Sequence, residues 1–151
     1  MKRELRMYGM TIYQFGGSIH SGIQFQHAVT RYGRMVEKNK RLANHKKLYD
    51  LWADKFETSI ILNGGTTNMD PDNPGTLNIH LNTLVSNGVL VQDFYEPDLG
   101  NQLTAICFLV DERVFNLNKY PTMASINNLT DDEYHTISFL REFLPTFSLA
   151  R

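Results

Sequence analysis

The apolar positions change period several times along the chain, and each change marks a new element. Residues 7 to 15, MYGMTIYQF, are rich in β-branched and aromatic side chains and stop at Gly16-Gly17, which predicts a first strand and a tight turn. Ser18 stands where a helix N-cap is expected. Ile23, Ala28, Tyr32, Met35 and Val36 then recur at spacings that approximate one helical face through about residue 37. A second helix near residues 40 to 55 turns Leu42, Leu48, Leu51 and Trp52 inward and its lysines outward. TSIILNGG follows as a short, buried second strand.

TTNMDPDNPG has the punctuation of a surface loop, since Pro71 and Pro74 prevent a continuous helix through it. In TLNIHLNTLVSNG, Leu77, Leu81, Leu84 and Val85 share one face and Gly88 supplies a C-terminal stop. VLVQDFY reads as a third strand, EPDLGNQ as a connection, and LTAICFLVD as a fourth strand apolar enough to be central. A last helix near residues 130 to 144 opens at Thr130, with Asp131, Asp132 and Glu133 in its first turn. This order predicts an α/β layer fold around a mixed sheet of four strands. There is no internal repeat and no low-complexity segment.

Composition narrows the picture. A chain of 151 residues, 42% of them hydrophobic, fits one domain, residues 1 to 151, with a sizeable core. No apolar run approaches the ~20 residues that span a bilayer, and MKRELRMYGM lacks the apolar centre of a signal peptide, so a cytoplasmic protein with no membrane partner is expected. Cys107, the single cysteine, lies inside TAICFLV and reads as a buried small hydrophobe. The net charge of -1 conceals an asymmetry: most lysines and arginines precede Phe56, and the remainder is acidic. Such a basic region either attracts phosphates through its local potential or forms a solvated helix face.

Candidate chemistry concentrates in two places. On the first helix His20, Gln24, His27 and Arg31 follow steps of four, three and four and form a polar stripe beside the apolar face. His20 falls in the opening turn, where free N–H groups and the helix dipole favour an anion or a developing oxyanion. The alternative is a core-edge His27 bonded to a carbonyl and solvated glutamines. The second place is the acidic connection, where Glu96 and Asp98 flank Pro97 ahead of Gly100. A carboxylate oriented there suits acid/base work, and Pro-Asp-x-Gly equally suits a turn. No acidic or cysteine ligand completes a metal set with the histidines, and HExxH is absent. No nucleophile elbow surrounds Ser18, Ser21 or Cys107, and NGGTTN lacks the Lys-Ser/Thr ending of a phosphate-binding loop. A paired His-x-Thr/Ser phosphoesterase is excluded because Gly22, Asn82 and Ile137 stand two residues beyond His20, His80 and His135.

Taken together these residues resemble the type II peptidyl-tRNA hydrolase family. That family carries Gly-Lys-x-x-x-Gln-x-x-His-Ala on its first helix, and this chain has Ile19-His20, Gln24 and His27-Ala28. Trp52, TSIILN, the helix ending at Gly88, VLVQDFY and Asp98-Leu99-Gly100 follow in the family's order. The chain departs from the pattern where His20 replaces the lysine and Asn101-Gln102 replaces Arg-Thr. The resemblance covers residues 7 to 111 and leaves 112 to 151 as a C-terminal extension carrying the last helix. It implies a three-layer α/β/α fold and hydrolysis of the ester between a peptidyl group and tRNA, without metal or organic cofactor. His20, Asp98 and Thr104, which stands in for the lost threonine, would then be catalytic. Gln24, His27, Arg31, Lys38, Lys40 and Arg41 would bind the tRNA. The alternative is an inactive protein of this fold, such as a phage accessory protein, that binds RNA, a nucleotide or a protein partner, including a second copy of itself.

Overall fold

Side chains alternate across a strand, and the eight residues Leu5–Ile12 of strand β1 use that alternation to build two cores. Tyr8, Met10 and Ile12 join one apolar cluster, and Leu5 and Met7 join another. A strand buried on both faces belongs in the middle of a sheet. In the computed structural model, which describes residues 2 to 151, the strand order is β2-β1-β4-β3. β2 (Ser59–Gly65) lies parallel to β1, β4 (Gln102–Asp111) lies antiparallel to it, and β3 (Gln92–Glu96) pairs antiparallel with β4 at the edge.

A parallel pair needs a crossover, and the β1–β2 crossover consists of helix α1 (Ile19–Lys38), a short 3-10 turn, α2 (Ala43–Leu51) and a π-helical turn at Trp52–Phe56. Phe25, Ala28, Tyr32 and Val36 of α1 and Trp52 close the core over Leu5, Met7, Ala105 and Cys107. On the opposite face α3 (Thr76–Ser86), α4 (Glu112–Phe115) and α5 (Asp131–Phe143) contribute Leu77, Leu84, Val114, Ile137 and Leu140 to the core over Met10, Ile106 and Phe108. The result is a mixed α/β fold in three layers. Among the described residues no helix is long and apolar enough to cross a membrane.

Several details differ from the expectation. β1 ends at Ile12, because Tyr13–Phe15 turn into a 3-10 helix before Gly16 takes φ 52°. The buried face of α1 runs through Ser21, Gln24, Phe25, Ala28, Tyr32 and Val36, whereas Ile23 is exposed. That face is rotated because Thr11 and Thr104 give Ser21 and Gln24 buried partners. Leu48 and Val85 are likewise exposed. β3 starts at Gln92, since Gly88 and Val89 are consumed in closing α3: Gly88 N donates to Val85 O, and Val89 N to Leu84 O, both at 3.1 Å. The Thr130–Glu133 capping box opens α5 as the sequence anticipates.

Residues 112 to 151 form part of the second layer. Arg113, 8% exposed, ties the end of β4 to α5 through Asp111 at 2.7 Å and Glu133 at 3.0 Å. Beyond α5 the chain returns to the outer edge of β2, where Asn63 N donates to Ser148 O and Ala150 N to Ile61 O. This covers hydrogen-bonding groups that an open edge strand would leave exposed.

Gly9 lets α1 approach the sheet closely. A Cβ there would lie 2.2 Å from the Phe25 ring. Gly9→Ala is therefore expected to lower stability by about 1–3 kcal/mol in urea unfolding, the cost of overpacking a filled core. Phe25→Leu in the same chain should recover part of the loss, and an unchanged midpoint for Gly9→Ala would contradict this packing.

Candidate functional site

Because β1 and β2 are parallel and β4 runs back against them, the β3–β4 turn lies at the same end of the sheet as the exit from β1 and the start of α1. Ligand sites in α/β folds favour the carboxyl ends of parallel strands, where the chain leaves side chains and backbone groups uncovered. Two hydrogen bonds fix α1 here. Thr11 and Ser21 hydroxyls meet at 2.7 Å in the core. Ser18 has the extended backbone of an N-cap, but its hydroxyl donates back to Phe15 O at 2.5 Å and caps no helix N–H. The first turn of α1, which includes His20, thus keeps N–H groups without a side-chain cap.

A β-bulge supplies the next link. Phe94 pairs with Ala105 and Tyr95 with Leu103, so Thr104 is the extra residue. Thr104 is fully buried, and its hydroxyl donates to Gln24 Oε1 at 2.5 Å. Gln24 Nε2 in turn donates to Glu96 Oε2 at 2.8 Å, and Glu96 Oε1 accepts from the Asp98 N–H at 3.3 Å. One buried amide therefore bridges α1, the end of β3 and the bulge of β4. The Gln24 bond outweighs partial burial and, with the Asp98 N–H and the nearby His27, holds the Glu96 carboxyl below the usual glutamate range.

Along the same stripe His27 stacks on Phe94 with centroids 4.7 Å apart, and the Arg31 guanidinium carbon lies 4.8 Å from the centre of that ring. His27, Thr30, Arg31, Phe94, Glu96 and Pro97 line an open recess of about 440 Å³. The recess places a cation and an imidazole beside an ionised carboxylate, so it offers donors to an anion at one rim and an acceptor at the other.

Of the residues singled out from the sequence, Gln24 and Thr104 are directly bonded, and His27 and Arg31 share Phe94. Asp98 is exposed in the 3-10 turn Pro97–Leu99 and joins through its backbone; its carboxylate accepts no hydrogen bond among the described residues. His20 is exposed, with Phe15 as its aromatic neighbour at 6.0 Å. Lys38, Lys40 and Arg41 are exposed beyond the site, at and after the far end of a helix of 20 residues. Lys38 is about 27 Å from His20 at 1.5 Å of rise per residue. Arg34 and Lys46 are paired with Glu37 and Asp50, which reduces the free positive charge of this region.

The sequence reading attaches the carboxylate role to Asp98, whereas Glu96 is the carboxylate engaged in the network. Its position directly before Pro97 was the available signal, because a side chain there can accept the N–H two residues on. Phe94 as a platform had none beyond its place in a strand. Among the described residues no three His, Cys, Asp or Glu side chains are grouped to hold a metal ion. The chain matches no model of a known protein family and no curated protein.

Thr104→Val keeps the shape but removes the donor to a buried carbonyl oxygen, with an expected loss of about 1–3 kcal/mol in chemical unfolding. The Glu96 titration, followed by carboxyl NMR, should fall below that of an ordinary glutamate and move up in Gln24→Ala. Since the folded-state value is depressed, the stability this bond contributes is complete above the ordinary glutamate range and is lost as pH falls through the depressed value. An ordinary Glu96 titration in the wild type would show that the network does not hold in solution.

Proposed function

We propose that the chain hydrolyses the ester between a peptidyl group and the terminal ribose of tRNA. The observation that carries this reading is the Gln24 bridge. It joins the helix stripe to Thr104 and to the turn bearing Asp98, drawing together residues that the family resemblance selects from distant parts of the chain.

In this scheme the solvent-facing Asp98 carboxylate accepts a proton from a water whose oxygen attacks the ester carbonyl. The oxyanion that forms is stabilised by His20 and by uncapped N–H groups in the first turn of α1. Collapse expels the ribose oxygen, which takes up the proton held by Asp98, and leaves a peptidyl carboxylic acid that loses its own proton to solvent. Thr104 is a positioning residue, because its hydroxyl hydrogen is committed to Gln24. Arg31, Lys38, Lys40 and Arg41 bind phosphates, so affinity falls as salt rises. The scheme calls on no metal or organic cofactor.

A second reading, RNA binding without turnover, is favoured by one observation: the Asp98 carboxylate is exposed and, among the described residues, has no hydrogen-bond donor holding it against a reacting group. Release of the acyl group from an N-blocked aminoacyl-tRNA separates the two. Wild type should turn over at low salt, Asp98→Ala should lose about 100-fold or more, and His20→Ala about tenfold, both with unchanged folding. A salt-sensitive complex with no turnover, in an assay validated by an active hydrolase, would select the binding reading. Neither turnover nor binding at low salt would remove both.

A further inference from the structure

On the face of the sheet opposite α1 an apolar recess of about 260 Å³ lies between β1–β2 and the C-terminal layer. Ile60 and Leu62 line it from the sheet, Val114 from α4, and Leu140 and Leu144 from the end of α5. Two polar side chains interrupt this lining, Tyr8 and Arg141.

Tyr8 is 8% exposed and its ring stacks on Phe108, yet its hydroxyl has no hydrogen-bond partner among the described residues. Among the described residues no fully sealed side-chain oxygen or nitrogen lacks a partner, so the Tyr8 hydroxyl is open to solvent, and Tyr8 lines the recess. A phenol free of protein partners at the wall of an apolar recess is available to the acceptor of a ligand, in exchange for the water it otherwise meets. Arg141 points to the charge of that acceptor. Its Nη atoms donate to the carbonyls of Arg113, Tyr120 and Pro121, at 3.3, 2.8 and 3.2 Å, and it has no ion pair among the described residues. A half-buried guanidinium served only by carbonyls keeps its full positive charge.

We propose that this recess is a second binding site, and that its ligand is a small monocarboxylate with an apolar body. The carboxylate accepts from the Tyr8 hydroxyl and faces the uncompensated charge of Arg141, while the body lies against Leu62, Val114 and Leu140. Size limits the ligand. A recess of about 260 Å³ suits the body of a medium-chain or simple aromatic acid. The site lies across the sheet from Gln24 and Glu96 and is independent of the proposed hydrolysis.

Octanoate is a suitable probe. Added to the ¹⁵N-labelled full chain, it should produce saturable amide shifts at Ile60, Val114 and Leu140, with a Kd on the order of 1 mM or tighter for a ligand of this size. Tyr8→Phe, which removes one oxygen, should weaken binding about tenfold, and octan-1-ol should bind wild type at least about tenfold more weakly than octanoate. Leu144→Trp, filling the recess, should abolish the shifts. No saturable change up to roughly 10 mM octanoate would overturn the site. Equal binding of octanoate and octan-1-ol, unaffected by Tyr8→Phe, would overturn the carboxylate assignment by reducing the recess to a non-selective apolar cleft.

Discussion

A buried glutamine brings both a donor and an acceptor out of water, and the backbone groups in the middle of a helix are already paired with one another. Gln24 resolves this by taking a hydroxyl from Thr104 and giving an N–H to Glu96. The two partners lie on different strands, so the amide fits only when α1, the β3 edge and the β4 bulge are all in register. The bulge is part of the same solution. Without the extra residue between Leu103 and Ala105, the strand alternation that sends Leu103 into one core would not also bring Thr104 and Ala105 to the α1 side.

The rest of the molecule supports this junction from behind. Gly9 lets Phe25 settle directly on β1, one residue after Gln24, and Thr11 holds Ser21 one turn before it. Across the sheet the C-terminal layer packs its own core against Met10, Ile106 and Phe108, so β1 and β4 are clamped from both sides. The covered β2 edge and the Arg113 ion pairs join that layer to the strands at its two ends. Residues 112 to 151 are therefore structural partners of the sheet, and at their end the Arg151 backbone packs against the Gly16-Gly17 turn that precedes α1.

Local signals made much of the framework legible from the sequence. The capping residues Thr130 and Glu133, the stop at Gly88, and the continuous apolar run of β4 each depend on neighbours within a few positions. The polar stripe His20, Gln24, His27 and Arg31 was legible for the same reason. What lay beyond reach was the direction in which the stripe faces. Apolar periodicity assigned Ile23 to the core and Gln24 to its border, but each helical residue turns the side chain by about 100°, and the choice was made by Thr104 and Glu96, 80 and 72 residues away. A bulge leaves no mark in composition, and the one in β4 leaves Thr104 without a cross-strand partner. The basic residues were legible as a group, while their partial neutralisation by Glu37 and Asp50 required the helix spacing to be seen.

Under the proposed reading, one rigid helix then acts as a measuring device. His20 stands in its first turn, Gln24 and His27 follow at the site, and Lys38 closes its far end with Lys40 and Arg41 just beyond. At 1.5 Å per residue Gln24 and Lys38 are about 21 Å apart, a span that covers several consecutive phosphates of a nucleic-acid strand. A free amino-acid ester reaches only the first position, and a short oligonucleotide without an ester gains only the second. Both ends are engaged together by a substrate that carries its acyl group at one terminus of a long phosphate backbone. The selectivity would then come from spacing along α1, because exposed cations contribute attraction without sequence preference. Such a division would also fit an Asp98 carboxylate left in solvent: under the proposed reading, positioning by the distant cations, made rigid by the Gln24 junction, would bring the ester to the carboxylate instead of the carboxylate to the ester.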